Sequence, residues 1–350
     1  MVTIKDVAKK AGVSIATVSR VINDTGTVSP EYVKAVQKAV EELDYQPNSV
    51  AQAMKKRTFC TIGVIMSDFS VPFFEKIIKN IEREYRGNGN LVLFVNTYDD
   101  PEIELQGIRF MVEKQADVLL ISSTGENEDY LSRLQERGMS IILIDRRARK
   151  HSFPAIYVDK RVGMYQVMEY LTEMHHERVA LISGPRQLTT NYDRYEGASR
   201  FYYEHALNQN NMQYFFGSFS EQYGCTVMEQ LLHSGNSPTA VVVGSAVIAA
   251  GVISCCRENK VCMPDDISLI SFGDLASGKL IEPRLTYVDD GHKEIGQRLV
   301  GMVDAALNHR LPHEEIVLQP KLVINDSVKE LDRADSGSKT GEGEAENEDT

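Results

Sequence analysis

The sequence predicts a small all-α head at the N-terminus, followed by a larger α/β body of two lobes built on parallel sheets. Three observations predict this fold. Residues 1–46 show the apolar spacing of three short helices. Residues from about 60 to 330 alternate short apolar strands with amphipathic stretches, and a chain of 350 residues is too long for one ordinary domain. With 42% apolar residues, the chain can build a substantial core.

Capping residues mark the helices of the head. Thr3 can cap the first helix, with Asp6 returning the interaction, and Gly12 ends it. Ser14 is expected to cap the second helix, and Ser29 the third, which a proline begins. A glycine-containing turn between two short helices is typical of a helix-turn-helix, whose second helix enters the DNA major groove.

The second helix carries side chains suited to DNA. Ile15 and Ala16 at its start can touch a thymine methyl group, and Arg20 can pair bidentately with guanine. Short polar side chains suited to phosphates or base edges are Thr17, Ser19 and Asn23. Any short helix of this composition could also simply pack, so three helices alone leave both interpretations open.

The segment after the third helix favours DNA binding. Pro47 ends one element, and Asn48 can cap a helix over residues 49–54 that is too short to be stable alone in water. We expect this helix to form when DNA and a second copy hold it. Met54 then offers an apolar wedge for the minor groove, beside the basic run 55–57.

Charge and composition narrow the function classes. The chain carries a net −12, but residues 1–58 hold nine basic and six acidic side chains, a net of +3, so the remainder carries −15. Only the first segment is therefore a plausible partner for phosphate. The chain opens with no apolar leader-like stretch and holds no run of about 18 apolar residues. We therefore expect a cytosolic protein.

No catalytic, cofactor or metal site is expected from the motifs. The segment His175-His176-Glu177 lacks the second histidine of a zinc-protease helix and is expected at a solvated helix end. The cysteines form no C-x-x-C pair and are interpreted as small buried side chains; they are Cys60, Cys225, Cys255, Cys256 and Cys262.

The head resembles the LacI/GalR (lactose-repressor/galactose-repressor) family. The resemblance rests on residues 3–8, 11–14, 17–23, 28–29, Tyr45, 47–48 and Ala51, and similarity continues to about residue 328. It implies a homodimer that binds double-stranded pseudopalindromic operator DNA and has a periplasmic-binding-protein-like core. The DNA contacts that it implies are Thr3, Ser14, Ile15, Ala16, Thr17, Ser19, Arg20, Asn23, Tyr45, Asn48, Ala51, Met54 and Lys55. Gln52 and Met54 replace the family's usual arginine and leucine, so hinge contact with DNA is expected to be weaker.

The body alternates predicted strands and helices. The strands are residues 61–66, 91–95, 117–122, 140–144, 178–183, 239–243 and 267–271, and examples of the amphipathic stretches between them are 73–85, 103–112, 165–174, 224–232 and 246–256. This alternation predicts βαβ units and parallel sheets covered on both faces. The expected domains are the head (1–46), a hinge and linker (47–58), a core (59–330) and a disordered acidic tail (331–350). The resemblance divides the core into lobes of 60–158 with 290–317, and 159–289 with 318–330.

Ligands of open α/β sheets bind beyond the carboxyl ends of the strands, which predicts an effector site in the cleft between lobes. Aromatic faces there suit the apolar side of a sugar ring or a purine. The effector-binding candidates, several of them implied by the resemblance, are Phe73, Phe74, Asp145, Arg146, Thr190, Arg194, Phe219 and Asp274. A buried phenylalanine more often only packs in the core, so the charged candidates weigh more.

Three positions depart from the family's pattern. Ser245, Ala246 and Gly273 stand where the family keeps polar or acidic groups that grip hydroxyls. The effector is therefore expected to be poorer in hydroxyls, or anionic, or replaced by a protein co-regulator.

The combined features favour a repressor of a carbohydrate-utilisation operon, controlled by a sugar, sugar acid or sugar phosphate. A transport protein would lack the DNA-reading head, and no acid–base set supports an enzyme. A global regulator or activator that works with a partner protein remains an alternative.

Overall fold

The computed structural model describes residues 2–22, 28–45, 60–69, 71–86, 90–275 and 278–332. The chain divides into two compact units, Met1–Phe59 and Cys60–Thr350. In the described segments, no helix combines the length and the apolarity needed to cross a bilayer.

The head consists of helices α1 (Ile4–Ala11), α2 (Ile15–Ile22) and α3 (Pro30–Glu42) around a small apolar core. The core buries one face of each helix, with Val7, Val18, Val36 and Ala39 almost inaccessible to water. The predicted side-chain cap at Ser29 is wrong, although the position of Ser29 is as predicted. Ser29 occupies the N-cap position, but its side chain makes no capping hydrogen bond.

The first lobe contains one fully parallel six-stranded sheet. Its strands are β1 (Thr61–Met66), β2 (Leu91–Asn96), β3 (Val118–Ile121), β4 (Ser140–Ile144), β5 (Ala155–Val158) and β11 (Glu315–Leu318), in the order β11-β5-β4-β3-β1-β2. Its helices are α4 (Pro72–Tyr85), α5 (Pro101–Glu113), α6 (Glu128–Glu136) and α11 (His292–Leu307). Two apolar clusters, one on each face of this sheet, account for the buried strands.

The second lobe repeats this plan with one antiparallel edge. Its strands are β6 (Val179–Ser183), β7 (Met212–Phe216), β8 (Ala240–Val243), β9 (Ser268–Phe272), β10 (Thr286–Asp289) and β12 (Lys321–Val323), in the order β12-β10-β9-β8-β6-β7. Only β12 runs antiparallel, against β10. Its helices are α7 (Lys160–Glu173), α8 (Thr189–Glu204), α9 (Glu221–Leu232) and α10 (Ala246–Glu258), and short 3₁₀ turns occupy Gln209–Asn211 and Gly278–Leu280.

The predicted fold class is confirmed: a helical head precedes an α/β core of two parallel-sheet lobes. The chain passes between the two sheets three times, after β5, after β10 and between β11 and β12. Because both sheets are parallel, their strands' carboxyl ends face the region between the lobes, where loops can converge on one site.

Two expectations need correction. His176 is not solvated, because it is 3% exposed and its two ring nitrogens lie 2.9 Å from Thr239 Oγ1 and 3.0 Å from the Lys329 carbonyl oxygen. Leu331, which was placed in the tail, is anchored: its backbone N–H donates to the Met174 carbonyl at 3.1 Å.

Candidate functional site

The predicted DNA-reading side chains lie on the outer face of α2. Ile15, Ala16 and Arg20 are exposed, whereas Val18 on the opposite face is completely buried. Ile15 is 45% exposed, so its side chain is accessible for contact with a thymine methyl group. This exposed face has the composition that contact with base edges requires, and its role in DNA reading stays a prediction.

The polar candidates of the head also hold its local structure. Ser14 caps α2 by accepting a hydrogen bond from the Thr17 backbone N–H at 3.1 Å, and the two hydroxyl oxygens lie 2.9 Å apart. The Thr3 hydroxyl donates to the Asp6 carboxylate at 2.7 Å. Ser19 and Tyr45 are partly buried, Tyr45 against the apolar core of the head. The remaining candidates, Asn23, Asn48, Ala51, Met54 and Lys55, lie outside the described residues.

A cavity of about 300 Å³ lies between the lobes at the carboxyl ends of both sheets. All eight effector candidates line it: Phe73, Phe74, Asp145, Arg146, Thr190, Arg194, Phe219 and Asp274. This volume is at the small end of the range for ligand sites. The structure therefore brings the candidates together, and their contact with an effector stays a prediction.

Aromatic rings form the apolar part of the cavity. Phe73 and Phe74 pack edge to face with centroids 5.0 Å apart at the start of α4. Phe219 and Phe272 contribute from the second lobe. Gly184 makes room for Phe219, because a Cβ at that glycine would lie 2.3 Å from the ring. The cavity can therefore hold a ligand with an apolar face.

Three basic side chains line the described part of the cavity: Arg146, Lys160 and Arg194. Arg146 and Lys160 each form an ion pair with an aspartate. Arg146 Nη1 donates to Asp99 at 2.6 Å and lies 3.3 Å from the Ser123 carbonyl oxygen. Lys160 Nζ lies 3.2 Å from Asp145 Oδ1. These two ion pairs give one side of the cavity a polar surface that can orient a ligand. They add no free positive charge.

Arg194 differs from the other two cations. It is 5% exposed, and its Nη1 donates to Asn191 Oδ1 at 2.9 Å, while Ser183 and Pro185 hold the Asn191 amide in place. Within the described segments, no carboxylate lies in ion-pair distance of Arg194, in contrast to Arg146, while the Nε atoms of both arginines are buried without a hydrogen-bond partner. Burial lowers the pKa of Arg194 to about 10, so the guanidinium is still charged at neutral pH. A buried and incompletely paired cation beside a cavity is a site for an electron-rich ligand group.

The cavity holds carboxylates that the sequence did not single out. Asp68 follows β1, Asp99 follows β2, Asp289 ends β10, and Asp290 comes directly after it. Burial favours the protonated form of Asp290, but hydrogen bonds from the His292 side chain and backbone outweigh it and lower the pKa of Asp290. The cavity thus holds carboxylates besides the positions 245, 246 and 273 that depart from the family pattern, and the expectation of an effector poorer in hydroxyls, or anionic, stays a prediction. The strand-end rule that found Asp145 would also have found Asp68 and Asp99.

The departures from the family pattern have structural roles of their own. The Ser245 hydroxyl accepts a hydrogen bond from the Ile248 backbone N–H at 3.3 Å and so caps α10. Gly273 has a backbone φ of +88°, a conformation that favours glycine. Both positions border the cavity with little side-chain bulk, which leaves more room for a ligand.

Comparison with known proteins gives matches to both units. Residues 3–48 match the family of bacterial regulatory proteins, lacI family, and residues 168–328 match the periplasmic binding protein-like domain. The HTH-type transcriptional repressor PurR of Haemophilus influenzae (strain PittEE) is 30% identical over 335 residues, which cover 95% of this chain and 100% of the relative. PurR of Klebsiella pneumoniae (strain 342) is 31% identical over 331 residues, covering 94% and 97%.

Solved structures show the same fold. A Lac repressor dimer bound to operator and the anti-inducer ONPF superposes with a TM-score of 0.74 at 23% identity, covering 94% of this chain and 99% of that one. CcpA of Lactococcus lactis gives a TM-score of 0.69 at 21% identity, covering 77% and 100%.

Proposed function

This chain belongs to the LacI family of bacterial regulatory proteins as a DNA-binding transcriptional repressor, and on that premise we propose how it is controlled. The chain binds a pseudopalindromic operator as a homodimer, with one α2 helix in each half-site. A small effector in the cavity between the lobes changes operator affinity. The relatives are transcriptional regulators, which agrees at the family level with the absence of an enzymatic role.

The observation that carries the effector proposal is the state of Arg194. A ligand carboxylate or phosphate would supply the counter-charge that this buried guanidinium lacks among the described residues, in a site already shielded from water. Asp68 and Asp289 offer acceptors for ligand hydroxyls, and the phenylalanines offer an apolar face. This combination fits a sugar acid or a sugar phosphate, and hence a carbohydrate-utilisation operon as the target.

A second candidate effector is a nucleobase. Four phenylalanines border the cavity, namely Phe73, Phe74, Phe219 and Phe272, and planar heteroaromatic rings stack well on such side chains. Arg194 would then donate to a ring carbonyl or ring nitrogen, and the aspartates would accept from ring N–H groups.

Control works by population shift. The cavity is lined by Phe73 and Asp145 from the first lobe and by Arg194 and Phe219 from the second. An effector that contacts both lobes favours one arrangement of them over another, and the arrangement determines how well two heads fit the operator.

A thermal-shift screen of the full chain tests this proposal. Sugars, sugar acids, sugar phosphates and nucleobases are compared at equal concentration. We expect stabilisation by anionic sugars, because a ligand that binds only the folded state raises the melting temperature. If only nucleobases stabilised the chain, the effector would be a nucleobase and not a sugar acid or sugar phosphate. No stabilisation by any class, with DNA binding enhanced by a partner protein instead, would refute small-molecule control.

A further inference from the structure

Two thiols and a carboxylate converge between helices α9 and α10 of the second lobe. The sulfur atoms of Cys225 and Cys255 and a carboxylate oxygen of Glu229 all lie within 4.8 Å of one another. We propose that these three side chains bind a divalent metal ion of the zinc class. The site is separate from the cavity candidates and does not depend on the effector proposal.

The two helices can present these donors because their backbones nearly touch. A Cβ at Gly251 of α10 would lie 2.0 Å from the Glu221 carbonyl oxygen, and a Cβ at Gly224 of α9 would lie 2.4 Å from the Ile248 carbonyl oxygen. Cys225 and Glu229 are separated by four residues and therefore share one face of α9. Cys255, one turn beyond Gly251, faces them from α10.

The donor set fits the chemistry of zinc. Thiolate sulfur and carboxylate oxygen are both common zinc ligands, and donors at the corners of a tetrahedral site lie within the observed spacing. Cys255 is buried, Cys225 is partly buried and Glu229 is exposed. The site therefore opens to solvent on one side, where an ion can enter and a water molecule can supply a fourth ligand.

A hydrogen bond adds support at the buried sulfur. The Asn259 amide Nδ2 donates to Cys255 Sγ at 3.6 Å and, more closely, to the Cys255 carbonyl oxygen at 2.9 Å. A donor of this kind stabilises the negative charge of a thiolate ligand and fixes its orientation.

Cadmium titration of the reduced full chain tests the proposal, since cadmium bound to thiolates has an ultraviolet charge-transfer band. We expect one cadmium ion per chain with a band of two-thiolate amplitude, and competition by zinc. Cys225→Ser should halve the band and weaken binding by more than about 100-fold, because even outer-sphere partners of a metal can contribute 10- to 100-fold. Glu229→Gln, at an exposed position, should weaken binding without affecting folding.

The matched control is the double variant Cys60→Ser, Cys262→Ser, which removes the two thiols outside this helix pair. It should bind cadmium as the unmodified chain does. A band of undiminished amplitude in Cys225→Ser, or a band lost in the control, would overturn the assignment. The assignment would also be overturned if Cys225 and Cys255 formed a disulfide in air and the reduced chain bound no cadmium.

Discussion

The guanidinium of Arg194 lies over the ring of Phe272, with its Cζ atom 4.5 Å from the ring centroid. The ring stabilises one face of the cation, and Asn191 accepts a hydrogen bond from one edge at 2.9 Å. The Nε–H remains without a partner in the described part of the chain. Phe272 and Asn191 thus hold the guanidinium in place, and we expect this fixed orientation to lower the entropic cost of binding an effector.

Arg194→Ala should weaken effector binding by about 2–3 kcal/mol, or roughly 30- to 150-fold, because a charge-assisted hydrogen bond is lost in a buried site. Isothermal titration of an effector found by the screen measures the change. Arg200→Ala is the matched control, since Arg200 lies on the same helix but is exposed and paired with Glu204. Equal losses in the two variants would show that the effect is not specific to the cavity.

Arg20→Ala should weaken binding to an operator selected from random DNA by about 1–3 kcal/mol, and should relax base preference at one position of each half-site. Fluorescence anisotropy and repeated selection measure the two effects. Lys38→Ala removes a charge from an exposed position on α3, near Glu42, and should leave base preference unchanged. A preserved preference in Arg20→Ala would rule out this side chain as a base reader.

Gly251→Ala should destabilise the chain by about 2 kcal/mol, since the new Cβ would meet the Glu221 carbonyl oxygen and force α9 and α10 apart. Chemical denaturation measures the free energy of unfolding. Gly301→Ala on α11 is the control, because nothing lies within 4 Å of its Cβ position. That control should be neutral or stabilising by up to about 1 kcal/mol, as alanine is the better helix former. A neutral Gly251→Ala would contradict the close helix contact.

His176 should make stability depend on pH. Burial lowers the pKa of His176 to about 4, against 6.5 for an unperturbed histidine. As the pH falls from about 6.5 to about 4, the unfolded chain therefore binds a proton that the folded chain does not, and at most about 3 kcal/mol of stability is lost. His176→Gln should show a shallower loss between pH 7 and 5. The exposed His313→Gln should keep the original slope, and identical slopes in all three proteins would exclude the effect.

Much of the architecture could be predicted because local signals agree with tertiary packing. The cap at Ser14, the break at Gly12 and the periodic Val7 and Val18 define the head. Strands β1 and β4 are continuous apolar runs that the sheet buries on both faces. Such segments are recognisable without knowledge of their neighbours.

Helix α8 carries no clear apolar pattern, for a physical reason. It buries polar residues, among them Thr190, Asp193 and Arg194, because they face the cavity and the lobe border. Its apolar periodicity is therefore weak, although the segment is helical over 16 residues. Functional side chains here obscure the pattern that identifies ordinary helices.

Two of the cavity carboxylates, Asp289 and Asp290, lie at the end of a strand that the sequence pattern does not reveal, whereas Asp68 and Asp99 follow strands that it predicts. β10 has only four residues, and its pairing with β12 involves residues more than 30 positions away. Without β10, the position of Asp289 and Asp290 at a strand end was not recognised. The convergence of Cys225 and Cys255 likewise depends on helix packing through glycines, which no local pattern reveals.

The most direct measurement is the affinity of the full chain for its selected operator, with and without saturating effector, in the unmodified protein and in Arg194→Ala. We expect the effector to change operator affinity by about 5- to 150-fold in the unmodified protein, and to have little effect in the variant, whose affinity without effector is unchanged. An effector response that survives Arg194→Ala, or operator affinity that no cavity ligand alters, would contradict control through this site.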